Sequence, residues 1–214
     1  MSVRGAAMRH DLVIKGGKLA TASESFAADI GIRDGRIVTL GEDLRGEEVI
    51  DASGKLVLPG GIEAHCHIAQ ESGMGIMTAD DYETGSISAA FGGNSCFIPF
   101  AAQKSGQSVA QTLALYDRRA APKSVIDYSY HLILTDPRPE VLQELPEAFA
   151  RGVTSFKVFM TYATRVTDGQ FLEVLDVARR HGGLTMVHAE NHDMLTWMAT
   201  ALTEAGHTAP RYHA

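Results

Sequence analysis

The chain has 214 residues, a net charge of −7 and two cysteines, with 45% apolar and 21% charged residues. That composition suits one large or two small globular domains rather than disorder, and an acidic balance without a Lys/Arg-rich cluster argues against nucleic acid as a partner. Two cysteines suggest no disulfide framework, no run reaches membrane-spanning length, and the opening MSVRGAAMRH lacks an apolar leader, so a cytoplasmic protein with no membrane partner is expected.

From residue 11 to about 58 the chain reads as short strands separated by turn signals, in DLVIKGGKLAT, ADIGIRDGRIVTLG and EEVIDASGKLVLPG. The Asp34-Gly35 pair between two apolar runs predicts a hairpin, because such turns need positive φ at their central residues. Residues 1–55 are expected to form a small all-β module that needs another surface to pack on.

From Leu56 the pattern changes to strands alternating with helices. Strand candidates are LVLPGGIEAH, SCFIPF, VIDYSYHLIL, TSFKVFM and GLTMVHA. The segments DDYETGSISAAFGG, SVAQTLALYDRRA, RPEVLQELPEAFARG, DGQFLEVLDVARRHG and HDMLTWMATALTEAGH read as helices. In the fourth of these, Phe171, Leu172, Leu175 and Val177–Ala178 recur at helical spacing, with Arg179 and Arg180 where the helix dipole favours cations. Repeating β-α units predict an α/β fold with a parallel sheet, closed as a β/α barrel or a doubly wound sheet. A full barrel takes eight strands, so with five candidates a barrel over residues 56–214 is expected to be incomplete here.

The chemistry-bearing residues fall near strand ends. His65 and His67 are two apart, so in a strand both point to one face while Cys66 points to the other and packs in the core. Two imidazoles so placed suit Zn²⁺, or a plain pair of hydrogen-bonded strand-end histidines. Lys157, flanked by Phe156, Val158 and Phe159, either reaches solvent at the strand end or is desolvated, its pKa falling until the neutral amine captures CO₂ as a carbamate. His188 ends an apolar run and reads as a core residue or a further ligand. Tyr162, in the loop after the Lys157 strand, is an ordinary loop tyrosine or a donor to a developing oxyanion. His131 reads as structural, His181, His192 and His207 as solvated, and His213 as a loop residue.

The strings VLPGGIEAHCH, ADDYETGSISAAFGGNSCFIPF, SFKVFMTY and MVHAEN, in that order, resemble the hydantoinase/dihydropyrimidinase branch of the amidohydrolase superfamily. The resemblance implies a β-sandwich module attached to a β/α barrel with two Zn²⁺ ions. By it, His65 and His67 bind one ion, carbamylated Lys157 bridges both, His188 binds the second, and Tyr162 polarises the scissile carbonyl. It implies hydrolysis of small cyclic amides (hydantoins and dihydropyrimidines) to N-carbamoyl amino acids, in a homotetramer. Glu63 stands where the family usually has Asp, and Cys66 where Thr is common. The family takes a further His and an Asp ligand from later strands, so the isolated chain is expected to be inactive. An allantoinase- or dihydroorotase-type hydrolase and a metal-free scaffold relative are the alternatives.

Overall fold

The computed structural model describes residues 9–72 and 75–213, which form two compact units divided between Gly60 and Gly61. The opening residues 1–8 and two positions of the loop after His67 therefore lie outside the described residues.

The first unit is one five-stranded sheet. Its axis is β1 (His10–Ala20), antiparallel to β2 (Ser25–Arg33), which is antiparallel to β3 (Arg36–Gly41). Along the other edge of β1 run β4 (Gly46–Asp51) and β5 (Leu56–Val57), both parallel to it. The β2–β3 turn has φ of 50° at Asp34 and 70° at Gly35, the doubly positive pattern expected of this hairpin. A bulge in β1 aims the Gly16 N–H at Asp29 Oδ1, 2.8 Å away, and Leu44 N–H reaches Oδ2 at 3.1 Å. The Gly16 bond above all holds the buried Asp29 carboxyl below the usual carboxylate range. Gly17 is required for close approach, since a Cβ there would lie 2.6 Å from Val57 Cγ2. A sandwich needs a second sheet facing the first, and the described residues of this unit supply one sheet. Leu56 and Val57, read with the second region, pair instead with β1, because Pro59 and Gly60 interrupt the apolar run before the next strand begins.

The second unit alternates strand and helix. Its strands are β6 (Gly61–Cys66), β7 (Asn94–Ala102), β8 (Asp127–Tyr128), β9 (His131–Ile133), β10 (Ser155–Phe159) and β11 (Leu184–His188). All pairings are parallel, in the order β11-β10-β9-β7-β6, with β8 beside β7. Spatial order thus follows chain order from β6 to β11. A doubly wound sheet would reverse direction part-way, so the winding is that of a barrel wall.

The helices are α1 (Tyr82–Phe91), α2 (Val109–Ala120), α3 (Pro139–Ala150), α4 (Asp168–His181) and α5 (His192–Glu204), followed by a 3-10 turn, Pro210–Tyr212. Asp81, Ser108 and Thr167 close reciprocal caps with Thr84, Gln111 and Gln170, and Gly182 ends α4 in the left-handed region. Phe97, Leu113, Leu132, Leu145, Phe156 and Val174 are fully buried between sheet and helices. No helix among the described residues is long and apolar enough to cross a membrane.

Three local expectations change. Leu172 is 63% exposed, because the buried stripe of α4 runs through Val174, Val177 and Ala178 with Phe171 packed beside it. The run VIDYSYHLIL is not one strand, since Ser129 and Tyr130 break it into β8 and β9. The candidate LVLPGGIEAH is not one strand either: only its second half, with His65, makes β6, which lies at the edge of the sheet order with Ile62 62% exposed.

Candidate metal centre

Parallel strands present their C-terminal ends on one side of a sheet, and three of them carry the residues singled out in the sequence. His65 lies in β6 and His67 one residue past its end. Lys157 is central in β10, in register with Ile133 and Met186, and His188 closes β11 opposite Phe159. His65, His67, Lys157 and His188 line one cavity of about 120 Å³ together with Phe100, Ile133 and Phe159. Tyr162 is outside that lining, yet its hydroxyl is 3.3 Å from His188 Nε2. It is half exposed and holds a φ of +68°, an uncommon conformation for a bulky residue.

Phe100 positions the histidine pair. Its ring stacks on His67 at 4.7 Å and meets His65 edge-on at 4.8 Å, leaving the two imidazole centroids 5.6 Å apart. His67 Nδ1 faces Gln70 Oε1 at 2.6 Å. With the ring donating to that oxygen, the lone pair sits on Nε2, the tautomer a metal ligand needs. Glu63 Oε1 accepts the backbone N–H of His65 at 2.9 Å, so it braces the main chain rather than the ring. Cys66 turns toward the core as expected, and burial pushes its thiol up to about 11.

Lys157 is half-buried, with its Nζ 5.2 Å from the Phe159 ring centroid and no hydrogen-bond or ion-pair partner among the described residues. Burial pushes its pKa down, toward the neutral amine. His188 Nε2 is committed to the Glu190 carboxylate.

The donor set suits a divalent cation in kind: imidazoles, an amine without a carboxylate partner and a nearby carboxylate. It is not preassembled. Among the described residues, no group of three or more His, Cys, Asp or Glu side chains is disposed to hold a metal ion. Glu190 on His188 is one physical reason, because an imidazole N–H given to a carboxylate leaves that nitrogen without a lone pair for a metal.

Other histidines fall out of the site. His131 is buried between β6, β9 and β10, its Nε2 2.8 Å from Ala64 O and its Nδ1 on Ser155 Oγ. His192 was expected to be solvated, but its Nδ1 lies 3.2 Å from the hydroxyl of buried Thr161. His181 and His207 stack on Phe149 and Tyr212. Gln70, Phe100 and Glu190 escaped the sequence reading. Gln70 and Glu190 sit two or three residues from their histidines, a spacing that could have flagged them, whereas Phe100 arrives only through the β6–β7 pairing.

A larger cavity of about 560 Å³ shares Ile133 and Phe159 with the first and is walled in part by Tyr162, Ala163, Ala102, Leu115 and Tyr116.

No family model matches the chain. The D-hydantoinase of Geobacillus stearothermophilus is 42% identical over 207 residues, covering 94% of this chain and 44% of its own. The dihydropyrimidinase of Rattus norvegicus is 36% identical over 212 residues, covering 94% of this chain and 41% of its own. A solved D-hydantoinase structure superposes with a TM-score of 0.89 at 42% identity, over 95% of this chain and 45% of that one. A dihydroorotase at 16% identity, with a TM-score of 0.55, shares the fold alone. The chain therefore spans less than half the length of the curated relatives it matches.

Proposed function

We propose, from the premise that this chain is a relative of the hydantoinase/dihydropyrimidinase proteins, that it carries part of a site for hydrolysing cyclic amides. The single observation that supports this most is that His65, His67, Lys157 and His188 line one cavity at the C-terminal side of a parallel sheet.

In this reading His65, His67, the carbamate of Lys157 and, once Glu190 releases it, His188 are the residues that would hold Zn²⁺. Bound zinc supplies Lewis acidity and makes water a stronger acid. The protein's own contribution begins at Lys157. Its desolvated amine attacks CO₂, the N–C bond forms, one oxygen takes the electron pair, and a proton leaves nitrogen for solvent. Gln70 keeps His67 in the tautomer with a free Nε2, and Phe100 fixes the relative tilt of the two rings. Tyr162 then donates to the substrate oxygen that gains charge as water adds to the ring carbonyl. Rupture of the ring C–N bond, with a proton delivered to nitrogen, leaves an N-carbamoyl amino acid.

Zinc titration followed by metal analysis tests the reading, alongside NMR of the protein under carbon-13-labelled CO₂. Expected are retained zinc and a carbamate resonance lost in Lys157→Ala. The Glu190–His188 contact favours one rival, a metal-free scaffold, for which zinc stoichiometry stays near zero and no such resonance develops.

A further inference from the structure

We propose that the 560 Å³ cavity receives an anionic substituent of the ring substrate, with the Arg119 guanidinium as its counter-ion. The inference rests on the hydrolase reading above and narrows its substrate class.

Arg119 sits in the last turn of α2 and lines this cavity half-buried. Two contacts fix its plane: one terminal nitrogen donates to Ala69 O at 2.6 Å, and the guanidinium carbon lies 5.1 Å from the Tyr116 ring centroid. A guanidinium has five N–H donors, and a single carbonyl leaves most of them unspent. No carboxylate lies within ion-pair range of Arg119 among the described residues. Glu71, which lines the same cavity and feels the Arg119 charge, is bonded to Lys104 at 2.7 Å. Glu71 and Lys104 cancel, so among the described residues that line the cavity one positive charge, that of Arg119, stays uncompensated.

A partly desolvated cation without an anion is costly, and a planar fork fits a carboxylate through two parallel hydrogen bonds. The remaining walls suit what would join that carboxylate to a ring. Leu115 and Tyr116 are apolar surfaces for methylene groups, and Ile133 and Phe159 also belong to the neighbouring histidine–lysine cavity. A cyclic amide held beside Lys157 thus extends a short acid-ended chain toward Arg119. A purely apolar substituent would leave the charge unanswered.

Isothermal titration of the 214-residue protein with hydantoin-propionate, hydantoin-propionamide and benzylhydantoin tests this. The propionate should bind about tenfold or more tightly than the propionamide, the difference expected of a charge-assisted pair over a neutral one. Arg119→Gln should bring that ratio near one. If Arg119→Gln fails to fold, the propionate-to-amide ratio on the unaltered chain still decides. Amide binding equal to propionate, or benzylhydantoin binding tighter than both, overturns the role of Arg119 and leaves the hydrolase reading standing. Failure of all three ligands to bind overturns both.

Discussion

His131 is a side chain whose removal should cost the second unit heavily, because its ring is bonded to two other strands. It begins β9, bonds Ser155 of β10 through Nδ1, and reaches the Ala64 carbonyl of β6 through Nε2, so one ring joins three strands. Ala64 precedes His65, which makes this bond a brace under the site. In His131→Ala two hydrogen bonds of about 1 kcal/mol each are lost, and the Ser155 hydroxyl, in a residue only 8% exposed, loses its partner at about 1 kcal/mol more. The sum is about 2–4 kcal/mol, or a fall in melting midpoint on the order of 10 °C. The bonding pattern has Nε2–H donating to Ala64 and Nδ1 accepting from Ser155, which is a neutral ring, and burial holds its pKa below the usual 6.5. The native state therefore resists protonation. The stability involved is intact above the unfolded pKa and is lost as pH falls below it toward the native value. Urea unfolding followed by circular dichroism, at neutral pH and again below pH ~6, measures both effects. Ser155→Ala in the His131→Ala background should cost nothing and recover up to about 1 kcal/mol, because it removes the orphaned hydroxyl. A loss under about 0.5 kcal/mol, or a full additional cost from Ser155→Ala, refutes the bracing role.

Other consequences are as direct. Gly17→Ala forces a Cβ against Val57 and Ala52 and should cost about 1–3 kcal/mol, read as a lower melting midpoint of the first unit; no change would mean that β5 is not held where described. Asp81 is held from its ordinary 3.8 down to about 2, first by Lys123 and then by the backbone N–H groups of Thr84 and Glu83. Its contribution is thus whole above the ordinary carboxylate range and fades as pH falls toward about 2. Acid titration of helicity should show a shallower slope in Asp81→Asn than in the parent. Lys157→Met removes a desolvated amine, so metal-free stability should hold or rise by up to about 1 kcal/mol while zinc retention drops at least about tenfold. Equal zinc uptake by both forms contradicts the ligand assignment.

Much of the second unit was legible in the sequence because helix signals are local. Ser108 and Thr167 stand three residues ahead of Gln111 and Gln170, and both close reciprocal caps through near neighbours in the chain. Strand limits were harder. The run LVLPGGIEAHCH looks continuous, yet Leu56–Val57 serve one sheet and Gly61–Cys66 another, a division decided by pairing partners far along the chain. The α4 stripe was misjudged at Leu172, since apolar spacing gives a face but not the angle at which that face meets the sheet. At the site, the histidine pair and Lys157 stood out through residue type and alternation. What tunes them did not: Phe100 comes from a neighbouring strand, and the pairing of Glu190 with His188 depends on side-chain direction at the end of β11.

The placement of β1 has a consequence for synthesis. Of the five strands in its sheet it is made before the others, yet it is bonded on one edge to β2 and on the other to β4 and then β5, whose last residue is Val57. This sheet therefore cannot finish until the 37 residues from Thr21 to Val57 have emerged, and an exposed β-edge waits through that interval. The early bulge at Gly16, which twists the waiting strand, makes it a poorer template for a stray partner during the delay.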